Sequence, residues 1–163
     1  MKVKPILEEV KKIAAENRYK VIPVSCEILA DMKTPIEVLR VLKNVSAHTY
    51  MLESVTEKEK WGRYTFLGYN PKLCITCTKG KMKIGDAEIF TDNPSAEIRK
   101  ILADYKSPRL EELPTFTGGL VGYFAYDYIC YAEPTLKNSV DDTENFQDVD
   151  LMLFDKVIAF DNL

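Results

Sequence analysis

Glu53 and Ser54 set a carboxylate beside a hydroxyl at the end of an apolar, β-prone run, Met51-Leu52-Glu53-Ser54. Such a pair can hold an ammonium group through charge-assisted hydrogen bonds, while neighbouring apolar side chains take the rest of an amino acid. After a short charged stretch comes Trp61-Gly62-Arg63-Tyr64-Thr65-Phe66-Leu67-Gly68, which brings one guanidinium close in sequence. On residue type alone, a strand that simply ends in solvent is the plainer reading of this region.

The other chemically suggestive residues reduce to structural readings. Cys74-Ile75-Thr76-Cys77 has the spacing of redox pairs and zinc knuckles, but it falls inside a predicted strand, where positions i and i+3 face opposite ways. His48 is the sole histidine, so no tetrahedral metal site is completed around the pair. Structural cysteines are the expectation. Gly118-Gly119-Leu120-Val121-Gly122 lacks the Gly-Lys-Ser/Thr of a phosphate loop and precedes no predicted helix, which leaves a glycine-bearing strand. No Gly-x-Ser-x-Gly or comparable nucleophile setting accompanies His48. The carboxylates between Asp141 and Asp150 read as a solvated charge run. Neither a catalytic residue nor a metal ligand is assigned.

The elements that must position Glu53 and Ser54 follow from periodicity. Val3, Ile6, Leu7, Val10, Ile13 and Ala14 recur at helical spacing and predict a helix with one buried stripe, ending near Asn17. Tyr19 to Leu29 reads as a strand. Thr34 is the N-cap of a second helix, with Pro35 in its first position and Glu37 three residues after the cap. Short strands follow at Thr49 to Glu53, Arg63 to Leu67, Leu73 to Thr78, Met82 to Ile84 and Glu88 to Phe90, in the spacing of an antiparallel meander. Pro94 opens a third helix on which Ile98, Ile101, Leu102 and Tyr105 line up on one face. From Leu120 both alternating sets are apolar or small, which predicts a central strand buried on both faces, with a bulge or close backbone approach at Gly122. Lys137 to Asp150 reads as a surface loop, and Leu151 to Phe160 as a strand followed by a turn at Asp161-Asn162. An apolar strand that leads into half a turn suggests an edge strand or a truncated chain.

Together these elements predict an α+β fold, with mostly antiparallel sheets in layers and about three flanking helices. The 163 residues suffice for one domain with a proper core, and 46% hydrophobic and 29% charged residues are ordinary for a globular protein. A net charge of −3 with scattered basic residues argues against nucleic acid and against anionic membranes. Neither a signal core nor an apolar run of membrane-spanning length is visible, and four cysteines are sparse for a disulfide-stapled secreted domain. A cytoplasmic setting with reduced thiols is expected.

Four segments, in order, resemble the large subunit of anthranilate synthase. Met51-Leu52-Glu53-Ser54 is similar to that family's Leu-Leu-Glu-Ser motif, and Gly62 to Gly68 to its Gly-Arg-Tyr-Ser-Phe-Ile-Gly. Phe116 to Asp127 resembles Phe-x-Gly-Gly-Leu-Val-Gly-Tyr-Phe-x-Tyr-Asp, and Leu151 to Asp161 the strand pair that follows it. The resemblance implies a lyase of tryptophan biosynthesis that converts chorismate to anthranilate and pyruvate with ammonia from a glutaminase partner, component II, and a bound magnesium ion. It implies that residues 1–163 form the N-terminal regulatory domain, with the chorismate and magnesium sites in a C-terminal part that this chain lacks. Carried over residue by residue, Glu53 and Ser54 would hold the polar end of the feedback inhibitor tryptophan. Leu52 would pack nearby, and Arg63 is a further candidate by proximity. The same resemblance would make the isolated chain inactive, a weak binder of tryptophan, and prone to self-association through apolar surface.

Two departures stand out. Tyr128-Ile129-Cys130 replaces the family's usual x-Val-Arg, so any role of that arginine is lost or moved, and Met51 is a conservative exchange for leucine. The N-terminal region of aminodeoxychorismate synthase, a folate-pathway enzyme of the same superfamily, is an alternative, as is a free-standing binding module.

Overall fold

The computed structural model describes residues 2–53, 62–133, 135–136 and 145–163. In chain order the elements are β1 (Val3–Lys4), α1 (Leu7–Ala15), β2 (Ser25–Cys26), α2 (Pro35–Val45), β3 (Thr49–Leu52), β4 (Tyr64–Tyr69), β5 (Leu73–Thr78), β6 (Lys81–Ile84) and β7 (Ala87–Phe90). They continue with α3 (Pro94–Asp104), β8 (Gly119–Phe124), a 3-10 turn (Tyr126–Tyr128), α4 (Ile129–Ala132), β9 (Val149–Phe154) and β10 (Val157–Asp161). The strands form a five-stranded sheet in the order β7-β6-β5-β9-β8, a three-stranded sheet β10-β4-β3, and the short pair β1-β2. All these pairings are antiparallel, so the fold is α+β as its periodicity predicts. None of the described helices is long and apolar enough to cross a membrane.

The core follows from strand alternation. Ile75 pairs with Leu151 and Cys77 with Val149, so one face of β5 and β9 is continuously apolar. Met82 sits across from Cys77 on β6, and Ile98 of α3 closes the cluster. Each such fully buried aliphatic side chain is worth about 1.5–3 kcal/mol relative to exposure. The neighbouring residue Cys74 faces outward and is exposed while Cys77 is buried, as expected for a strand carrying the C-x-x-C spacing.

α2 lies against β3 and β4 and is capped as the sequence predicts. The Glu37 amide donates to Thr34 Oγ1 at 3.3 Å, and the Thr34 amide donates to Glu37 Oε2 at 2.9 Å. Those two bonds satisfy donors that a helix start otherwise leaves orphaned, and the Thr34 amide, with the Thr34 hydroxyl, holds the Glu37 carboxyl below its usual range. α3 opens at Pro94 behind an Asn93 cap, whose Oδ1 accepts from the Ala96 amide at 3.2 Å.

Four expectations need correction. Tyr19 to Leu29 is not a strand; only Ser25–Cys26 pairs, with β1, because most of this run finds no second strand to bond. The first helix begins at Leu7, later than its apolar period suggests, and none of its residues is buried among the described residues. β8 is an edge strand of the five-stranded sheet, not a central one, and Tyr123 and Phe124 are exposed. Leu151 to Phe160 is not one strand: β9 fills the middle of one sheet, and after Asp155 and Lys156 β10 joins the other. Continuous β propensity cannot reveal that the chain changes sheets within it.

Candidate functional site

The end of β3, the start of β4 and the end of β10 meet along one rim of the three-stranded sheet. Leu52 pairs with Phe66, while Asp161 pairs with Tyr64, so residues far apart in sequence arrive at the same place. Leu52 closes β3 and stays 45% exposed, on the strand face it shares with Tyr50. Glu53 follows immediately and is exposed; no ion pair engages it among the described residues. Ser54 lies outside the described residues. Arg63 precedes β4, and its guanidinium is already engaged: Nε donates to Asp161 Oδ1 at 2.9 Å and Nη2 to Asp161 Oδ2 at 2.6 Å.

That fork is reinforced on both sides. The Arg63 guanidinium carbon stands 4.9 Å from the centre of the Tyr64 ring, within cation–π range. The Asn162 amide donates to the Arg63 carbonyl at 2.8 Å, and Asn162 Nδ2 donates to Thr65 Oγ1 at 3.1 Å. Thr65 is fully buried, so this bond satisfies a hydroxyl that would otherwise be costly. The hydrogen bond to Arg63 holds the Asp161 carboxyl below its usual range, and the Asp161 bond raises Arg63 further. Asp161 and Asn162, expected to form a turn, instead fasten β10 to β4. Sequence reasoning missed them because Asp161 and Arg63 are 98 residues apart and no local pattern links them.

Beneath the rim lies an aromatic cluster. Tyr50 meets Phe154 edge-on at 4.8 Å between ring centres, and Phe66 meets Phe116 at 5.6 Å. These contacts join the two larger sheets. The Tyr50 hydroxyl is buried without a hydrogen-bond partner among the described residues, and burial pushes its phenol up to about 12.

A second polar constellation ties β5 and β6 to the chain before β9. The Tyr131 hydroxyl donates to Asp148 Oδ2 at 2.7 Å and accepts from the Gly80 amide at 2.7 Å, with Cys77 Sγ 3.6 Å away. Asp148 Oδ2 also accepts from the Lys79 amide at 2.6 Å. Asp148 is therefore a fixed acceptor for a tight turn rather than part of a solvated charge run: Lys79 and Gly80 both carry positive φ, and the turn sends the Lys79 amide to Asp148 and the Gly80 amide to the Tyr131 hydroxyl. Burial and the bond to Asp148 raise the Tyr131 phenol well above the usual tyrosine range, so it serves as a donor and not as a base. His48 is exposed, and its backbone exchanges hydrogen bonds with the Ser46 hydroxyl. An open groove of about 410 Å³ is lined by Tyr123, Ala125, Tyr126, Asp127, Phe146 and Asp148, none of them at the Leu52–Glu53 rim.

Known proteins give this geometry a context. No family model matches the chain. Its relatives are synthase components about three times its length. More particularly, it is homologous to anthranilate synthase component 1: 38% identical to that of Acetivibrio thermocellus over 98% of this chain and 32% of the relative. The component of Aquifex aeolicus is 37% identical over 96% of this chain and 32% of its own length, and a probable one from Schizosaccharomyces pombe 34% identical over 99% and 31%. The chain thus spans about a third of the length of the curated relatives it matches. The crystal structure of anthranilate synthase component I from Streptococcus pneumoniae superposes with a TM-score of 0.53 at 26% identity, over 85% of this chain and 29% of that one.

Proposed function

We propose that this chain is the N-terminal regulatory part of an anthranilate synthase large subunit and contributes part of a tryptophan feedback site. Homology along nearly the whole chain to proteins of that name carries the reading. In it, Glu53 and Ser54 hold the ligand's ammonium group, Leu52 packs against its apolar part, and Arg63 stands at the carboxylate end. Feedback then requires only that tryptophan bind one arrangement of the full-length enzyme more tightly than the other, a coupling of about 1–3 kcal/mol.

The chemistry itself, chorismate and ammonia to anthranilate and pyruvate, belongs in this reading to the remainder of the longer polypeptide, with component II as the ammonia source. In this reading magnesium, too, is held by the remainder of the longer polypeptide.

The test is to assay the full-length polypeptide with chorismate and ammonia, with and without tryptophan. Release of anthranilate that tryptophan suppresses supports the proposal; aminodeoxychorismate as product assigns the chain to the folate pathway instead. The 163-residue chain alone is expected to be inactive and to bind tryptophan weakly, because the reading gives part of the pocket to the rest of the enzyme. Val24, Ile28, Leu29, Met32, Ile36 and Val41 are exposed apolar residues that favour its self-association, which sedimentation at rising concentration would detect as growth in mass.

A further inference from the structure

We propose that the open edge of β8 receives a strand from the remainder of the longer polypeptide, which extends the five-stranded sheet within one molecule. The proposal rests on the reading above, in which this chain is one part of a large subunit. β8 and β7 are the two edges of that sheet, yet they are built differently. β7 has four residues and carries Glu88, which pairs with Lys81 at 3.0 Å. Short length and charge are devices that keep an edge from pairing with another chain. β8 has six residues in unbroken register with β9, so it has neither a bulge nor a proline. No charged residue occurs from Phe116 to Tyr126. An edge without any of these devices is built to be covered.

The open backbone groups follow from the register. The Ala125 amide donates to the Asp148 carbonyl at 2.9 Å, one step beyond the Phe124–Val149 pair. Antiparallel alternation then turns Gly119, Val121 and Tyr123 toward β9, and Leu120, Gly122 and Phe124 toward the open edge. The last three have no strand partner among the described residues. Tyr123 and Phe124 are 40% and 50% exposed, and the groove lined by Tyr123, Tyr126 and Phe146 lies at the same end of the strand. An added apolar strand bonds the free amides and carbonyls and covers these rings. The relatives have the chain to supply it, since the match takes up only about a third of each. A glycine-bearing edge offers few side-chain contacts across strands, which is too little to gather a second copy from dilute solution. A segment of the same polypeptide meets the edge at far higher effective concentration.

Hydrogen exchange resolved to single amides in the full-length polypeptide tests this. Leu120, Gly122 and Phe124 should exchange within about tenfold of Val121 and Tyr123, at every protein concentration. Exchange at those three that is faster by more than about tenfold overturns the proposal. Protection that grows with concentration, alongside a doubled mass, gives the edge to a second copy and overturns it equally. Tyr123→Lys puts a charge on the edge directly opposite Asp150, where β9 itself can accept it. It should speed exchange at Leu120, Gly122 and Phe124 while Val121 keeps its protection; unchanged exchange at all three counts against an added strand. An anthranilate assay on the same preparation separates this proposal from the reading beneath it. Protected amides in a protein that releases no anthranilate overturn that reading and support the added strand.

Discussion

The Tyr50 ring lies directly over Gly68, its cross-strand partner in the β3–β4 register, in the space a side chain at that position would fill. Glycine here is a packing requirement set by the neighbouring strand. Gly68→Ala should displace the ring from Phe154 and Phe116 and cost about 1–3 kcal/mol, the range for overpacked cores. Urea denaturation would show the midpoint falling; an unmoved midpoint would mean that the cluster repacks freely.

Tyr50→Phe keeps the ring and deletes a buried hydroxyl that has no partner among the described residues. It should fold at least as stably as the parent, since an unsatisfied buried hydroxyl costs about 1–3 kcal/mol. The parent should also lose stability in alkali. Unfolded tyrosine ionises near ~10, whereas burial pushes Tyr50 up to about 12. The neutral phenol's contribution is complete below the lower value and fades as pH rises through the upper one. Between those two values the gap in melting temperature between parent and variant should widen; a constant gap would mean that another group controls the alkaline limb.

Gly122 approaches the β9 backbone so closely that a Cβ would strike the Asp150 carbonyl, and its φ is +155°. Gly122→Ala should therefore peel β8 from β9 and destabilise the chain by about 1–3 kcal/mol. Hydrogen exchange at Val121 and Tyr123 would speed up before that in β5. Uniform protection across the sheet would rule out this account.

Thr34→Ala removes the capping oxygen of α2 and should cost about 1 kcal/mol. Helical signal should decline with it, because the Glu37 amide loses its acceptor. Thr34→Ser, which retains the hydroxyl, should sit within a few tenths of the parent. Equal loss in both variants would assign the effect to the lost methyl group.

Acid should loosen the end of β10 before the core. The Asp161 carboxyl is held below its usual value by Arg63, so its contribution is complete above ~3.9 and is lost as pH falls through the lower folded value. Amide exchange at Asn162, whose N–H bonds the Arg63 carbonyl, reports the event. Protection there that survives to pH 2 would show that the backbone bond needs no help from the ion pair.

Local chemistry made much of this structure legible. The Thr34-Pro35-Glu37 cap, the Pro94 helix start, β5 and the β6–β7 hairpin all follow from contacts within a few residues, and periodicity reports such contacts. Pairing between distant segments was not legible. Nothing near Asp161 announces Arg63, nothing near Asp148 announces Tyr131, and the edge position of β8 depends on which strands are absent beside it. At the rim, the motif pointed to Leu52 and Glu53 by residue type and order. The partner that holds Arg63 required the register of β10 on β4.

β9 and β10 are separated by Asp155 and Lys156 alone, yet each completes a different sheet. Until residues 149–161 have been synthesised, β8 has no neighbour and β4 has only β3, so both sheets wait on the same short stretch. A nascent chain therefore holds two half-built surfaces open until this stretch emerges, and one insertion closes them together.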